Sequence, residues 1–293
     1  MASSHLETTD SINVNEGDID WDSISESSYE KKKSNIFRRW VKRSSKIRVE
    51  DEIARLTEEM DISIKILERS KLYKEIHDKW QNNPMFQSNI GRVLGSDSNM
   101  LMVIYLLGSI ESNHHSRFQL AFAVLLKRDF SHWISGIEVF DPDISSIDAK
   151  VMEALGCNVL PDDEKCISRQ IHKPTLFYMP RAVIYEMGYI FEPNWNPSCL
   201  NQMILLTTSF ENSMESWREI DNNPSSTFCK PIPHHSKEHV HNKLWVNYIE
   251  AIQKHTLELA ITKNDRNDKN PLDNFSCHFF HLDQQLDMET GGG

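Results

Sequence analysis

No stretch of the 293-residue chain holds the roughly 20 consecutive apolar residues that would cross a bilayer. Its N-terminus lacks an apolar signal-peptide core, because Ser, Asp and Glu interrupt it throughout. The five cysteines, Cys157, Cys166, Cys199, Cys229 and Cys277, include no CxxC pair. That spacing supports neither a disulfide framework nor a zinc site, and reduced thiols are expected. Gly-x-Ser-x-Gly and HExxH are absent, which removes the usual marks of a serine hydrolase and a zinc protease. A net charge of -11 leaves little positive surface for phosphate and argues against a general nucleic-acid binder. These absences predict a soluble intracellular protein, cytoplasmic and nuclear, with no membrane insertion.

What is present is unevenly distributed. Residues 1–29 carry seven acids and neither Lys nor Arg, and little that could be buried. Lys31 to Arg48 then holds nine Lys and Arg and no acid, with Phe37 and Trp40 between them. A disordered acidic-then-basic arm is predicted over residues 1–48. Lys31, Lys32, Lys33, Arg38, Arg39, Lys42 and Arg43 suit a nuclear-import receptor, or else form a solvated arm facing the acids before them.

From residue 50 to 81 the pattern becomes helical. Ile53, Leu56, Met60, Ile64 and Leu67 recur at three- and four-residue steps, and Leu72, Ile76 and Trp80 continue after a phase shift. Asn83-Pro84 closes this segment, which is expected to pack on the core.

Residues 99–282 alternate strands with helices. Leu101-Met-Val-Ile-Tyr-Leu-Leu is a continuous apolar run, as in a strand buried on both faces. Further strands are read at Ile137–Phe140, Cys157–Leu160, Thr175–Met179, Met203–Thr207 and Ser276–Leu282. Helices are read from an N-cap at Ser116, over 147–155 and over 243–259. Such alternation implies βαβ crossovers and parallel pairing. The predicted fold is α/β, a single Rossmann-like domain with a mostly parallel sheet, preceded by a helix and the arm. Residues 283–293 read as a flexible tail.

Candidate chemistry gathers where the first strand ends. Gly108 and Ser109 hold the usual phosphate-binding position of a Rossmann domain, and Asp141 ends the second strand where an acid meets a ribose hydroxyl. Gly108 could equally supply a strand-end turn, and Asp141 a cap before Pro142. Arg117 is read either as a clamp for an anion or as a brace on backbone carbonyls. His114 and His115 fall in the loop. His234, His235, His239 and His241 cluster without a Cys or acidic partner at ligand spacing, so no metal is assigned. No catalytic residue and no particular cofactor can be named.

One ordered set of motifs resembles the Sensitivity to Red Light Reduced family. It comprises Tyr105-Leu-Leu-Gly-Ser-Ile-Glu-Ser, Ser116-Arg-Phe-Gln-Leu-Ala, Val139-Phe-Asp-Pro and Ala154-Leu-Gly-Cys. Pro174-Thr-Leu-Phe-Tyr-Met-Pro, Asn194-Trp195, Ser209-Phe210 and His278-Phe-Phe complete it. The resemblance implies a divergent, plant-type member and a regulator of light signalling and circadian rhythm working through protein partners. The alternative is a nucleotide- or methyl-donor-dependent transferase. Arg181 and Ala182 stand where the family typically reads His-Cys, and Thr207 and Thr208 where relatives carry Gly-Asn. A ligand served by those family residues would be impaired here.

Overall fold

The computed structural model describes residues 45–161, 169–182, 184–222, 238–262, 272 and 274–283. The basic block Lys31–Arg43 lies outside the described residues, as does nearly all of the tail expected over 283–293. Seven strands form one sheet in the order β3-β2-β1-β4-β5-β7-β6. They are β1 Met100–Tyr105, β2 Ile134–Phe140, β3 Cys157–Val159, β4 Thr175–Tyr178, β5 Met203–Thr208, β6 Thr256–Ala260 and β7 Phe275–Phe280. The first five pair in parallel. β7 joins β5 antiparallel, and β6 joins β7 antiparallel at the edge. The Rossmann-like α/β fold and its mostly parallel sheet thus agree with the sequence.

Helices cover both faces, which explains the uninterrupted apolar strands. Alternate side chains point to opposite layers. Met102 and Ile104 of β1 join one buried cluster, with Leu176, Ile204 and the helices α1 (Ser45–Arg69), α2 (Lys71–Asn82), α3 (Pro84–Leu94), α4 (His114–Asp129) and α5 (Ser146–Ala154). Val103 and Tyr105 join the other, with Phe177, Leu205 and the helices α6 (Ile184–Phe191), α7 (Pro197–Leu200), α8 (Phe210–Asn222) and α9 (Glu238–Gln253).

Four local expectations are corrected. The stripe over 50–81 is two helices, because Ser70 accepts from the Tyr73 amide and caps α2; the phase shift in the pattern marks that break. Asn83 then caps α3, with Pro84 at its start. Helix α4 is capped by Asn113, whose side chain accepts from the His115 amide, so His114 and His115 are its first residues and Ser116 is not the cap. The helix expected over 243–259 ends at Gln253, and Thr256 to Ala260 form β6. Leu257 and Leu259 alternate with polar neighbours as a strand does, against Phe279 and Cys277 of β7. Finally, Leu106 is only half-buried and lies beyond β1, with φ of 58°.

Candidate functional site

The chain passes from β1 to β2 on one side and reaches β4 on the other, so the topological switch point lies at β1 and β4. In open α/β sheets, ligands bind outside the carboxyl ends of the strands at such a point. Here the chain leaves β1 through two left-handed residues, Leu106 (φ 58°) and Gly108 (φ 76°). Leu106 is a non-glycine residue in a region that costs an L side chain about 1–2 kcal/mol. The Leu106 amide donates to the Phe140 carbonyl at 3.3 Å, which tethers the turn to the end of β2.

Asp141 and Gly108, paired in the sequence argument only by position, touch. The Gly108 amide donates to Asp141 Oδ2 at 2.7 Å, and the Asp143 amide donates to Oδ1 at 2.8 Å. Burial pushes the Asp141 carboxyl above the usual range, while the two amides and Arg181 offset part of that rise. Arg181 lies over the glycine. A Cβ added at Gly108 would run into Arg181 Nη1 and stand 3.2 Å from Ser116 Oγ. Glycine is required here by φ, whereas the guanidinium ends a flexible, exposed side chain that can move aside.

The remaining candidates brace the same loop. Ser116 donates its hydroxyl to the Leu107 carbonyl at 2.7 Å. Ser109 accepts from the Ser112 amide at its hydroxyl (3.3 Å) and from the Asn113 amide at its carbonyl (3.2 Å). Arg117 turns away from the crevice. Its Nη1 donates to the Ile110 and Glu111 carbonyls at 2.6 and 3.3 Å and lies 3.5 Å from Glu59 Oε2 on α1. The backbone brace read for Arg117 is thus present.

Asp148 was missed by sequence reasoning. It is fully buried, accepting from the Glu111 amide at 2.8 Å and the Ser145 amide at 3.0 Å. Ser145-x-x-Asp148 is a readable capping box, so the signal existed. Asn194 of the family motif and Thr207, a departure from it, also have structural work. Asn194, fully buried, accepts from the Ile171 amide and donates to the Arg169 and Ile190 carbonyls. Thr207 donates its hydroxyl to the Met179 carbonyl at 2.9 Å, tying β5 to the end of β4.

His234 and His235 lie outside the described residues, as do the side chains of His239 and His241. Among the described residues no group of His, Cys, Asp or Glu is arranged for a metal ion, and no helix is long and apolar enough to cross a membrane. Cys157, Cys199 and Cys277 are buried free thiols, and burial pushes Cys157 up to about 12.

The model of the SRR1 domain family matches residues 72–281, a span that includes every brace just described except Glu59. The chain belongs to the SRR1 domain family. It is 39% identical over 158 residues to Protein SENSITIVITY TO RED LIGHT REDUCED 1 of Arabidopsis thaliana, covering 54% of this chain and 57% of that protein. It is 30% identical over 115 residues to an SRR1-like protein of Mus musculus, covering 39% of this chain and 46% of that protein. The chain thus spans about half the length of these SRR1 relatives. Among solved structures, a mutant of MtNAS in complex with S-adenosylmethionine matches with a TM-score of 0.34 at 14% identity, over 78% of this chain and 73% of that one. The plantazolicin methyltransferase BpumL in complex with SAH matches with a TM-score of 0.26 at 10% identity, over 72% and 82%.

Proposed function

We propose that this SRR1-domain chain is a regulator of light signalling and circadian timing, as the name of its Arabidopsis relative suggests for red light, and that it acts through protein partners. The observation that carries the second half is the occupancy of the crevice by the chain itself. Asp141 accepts backbone donors on both oxygens, Arg181 covers Gly108, and Arg117 is spent on loop carbonyls. A cofactor would have to displace groups that are already satisfied, and each buried group left unpaired costs about 1–3 kcal/mol. A scaffold that keeps its loop rigid for a partner has no such conflict.

Two measurements test this. Expression in Arabidopsis lacking the relative should restore the red-light response; failure to restore it removes the regulatory half. A thermal-shift series with nucleotides and adenosyl methyl donors should leave the midpoint unchanged. A ligand present at a hundred times its dissociation constant would stabilise the fold by about 2.7 kcal/mol, and that shift would return the crevice to cofactor binding.

The same proposal includes a nuclear fraction, motivated by Lys31, Lys32, Lys33, Arg38, Arg39, Lys42 and Arg43 in a segment without an acid. An import receptor recognises such basic groups in extended chain. Changing the seven to Ala should lower the nuclear fraction while the thermal midpoint stays put. An unaltered distribution would leave the block a solvated arm.

A further inference from the structure

On the face covered by α6, α8 and α9, one row crosses the antiparallel half in register: Leu205 on β5, His278 on β7 and Glu258 on β6. His278 is completely enclosed. Its Nδ1 lies 3.1 Å from the Leu205 carbonyl oxygen, which can only accept, so Nδ1 carries a proton. Its Nε2 lies 3.4 Å from Glu258 Oε2, within ion-pair reach but without a well-directed hydrogen bond. An ionised carboxylate is again only an acceptor. The ring of Phe210 stacks on the imidazole with centroids 4.0 Å apart and planes 26° apart, presenting the electron-rich face of its π-system.

Three electron-rich groups therefore surround one buried imidazole. With a proton on Nδ1 alone, the Nε2 lone pair would point at a carboxylate. A second proton turns that repulsion into attraction, against the cost of burying charge. The extra proton belongs to the pair, and it could sit on either partner. Burial raises the Glu258 carboxyl, but His278, the Ser276 hydroxyl and the Phe210 amide outweigh it and hold it at about 2. A carbonyl facing Nδ1 and a carboxylate facing Nε2 together favour a proton on each ring nitrogen.

The same Oε2 lies 3.4 Å from the Phe210 amide, the first residue of α8. Glu258 is a carboxylate at a helix start, where the N-terminal amides favour negative charge. Its side chain is 30% exposed, which leaves protons a route to the otherwise sealed histidine. The groups facing the pair are the Leu205 carbonyl of β5, the Ser276 hydroxyl of β7, and the amide and ring of Phe210 on α8. Among the described residues no Lys or Arg is ion-paired with either member.

We propose that His278 and Glu258 form a proton-operated latch: the doubly protonated imidazole, clasped between Leu205 and Glu258, seats the first turn of α8 on the β6–β7 hairpin, and loss of its proton releases that turn. The latch does not depend on the regulatory reading of the crevice, which lies at other strand ends.

Nitrogen-detected NMR of the histidine rings in the full chain decides it. At neutral pH His278, assigned through its contact with Phe210, should show hydrogen on both ring nitrogens. As pH rises, loss of the Nε2 proton should coincide with faster amide exchange in the first turn of α8, by about tenfold. In Glu258→Gln the imidazole should be singly protonated at neutral pH, with the same loosening of α8. A singly protonated His278 in the wild-type chain at neutral pH overturns the latch. So does an α8 turn whose exchange ignores the Nε2 proton, a result obtainable from the wild-type chain even if the variant does not fold.

Discussion

Between β3 and β5 the sheet runs parallel and fills its faces with residues such as Val103, Ile104, Phe177 and Leu205. Across β7 and β6 it runs antiparallel, and the row that continues from Leu205 carries His278 against Glu258. Both halves are enclosed, yet the rows of the parallel half are mainly apolar, while the hairpin sets the buried His278 beside the part-exposed Glu258. The difference teaches where each kind of stability comes from. The apolar faces of the parallel half should be indifferent to pH. The hairpin depends on protonation states and should not be.

The sharpest way to break that comparison is Phe177→Ala, which removes a fully buried ring from β4. The loss should be about 3–5 kcal/mol by denaturant unfolding, and the same at mildly acid and neutral pH. A loss under about 1 kcal/mol would mean that β4 does not hold the core.

Next in size is the acid response of the hairpin. Glu258 is held at about 2 in the fold against an ordinary value of 4.5. A depressed carboxyl contributes stability that is complete above 4.5 and is lost as pH falls from there towards 2. That contribution is worth about 1–3 kcal/mol, and Glu258→Gln should abolish this part of the acid sensitivity. Asp141 in the crevice runs the other way. Its raised carboxyl favours the fold at pH below the ordinary 3.8 and loses that advantage as pH rises through its higher folded value. Asp141→Asn should therefore gain stability relative to the wild type as pH rises through that range. Parallel slopes for the two variants would erase the distinction.

Gly108→Ala should cost about 1–2 kcal/mol through its left-handed φ alone. Adding Arg181→Ala should recover only what the displaced guanidinium contributes, leaving the backbone cost in place. Arg181→Ala by itself should move stability by no more than about 0.5 kcal/mol, because that side chain is exposed. A larger effect would make Arg181 a structural strut rather than a cover.

The strands of the parallel half were legible because burial on both faces leaves an unbroken apolar signature, as in Leu101 to Leu107. Gly108 and Asp141 were legible by position, since strand ends in this fold have known uses. Arg181 was noticed as a departure from the family but not as Gly108's neighbour, because 73 residues separate them in the chain. Arg117 could not be aimed from sequence. Its direction depends on Glu59, which arrives from a helix the motif does not include. The helix cap was misplaced at Ser116 because Asn113 offers an equally good acceptor three residues earlier, and local chemistry does not rank the two.

Alone, the amino-acid sequence determined the α/β alternation, the family and the places of the domain's apolar strands, because periodicity and composition are local properties. Tertiary structure decided the rest. It placed β6 at an antiparallel edge, where Leu257 and Leu259 read equally well as helix until Phe279 and Cys277 gave them partners. It also set His278 between the Leu205 carbonyl and the Glu258 carboxylate. Imidazole chemistry depends on what faces each nitrogen, and here those groups come from strands 73 and 20 residues away in the chain.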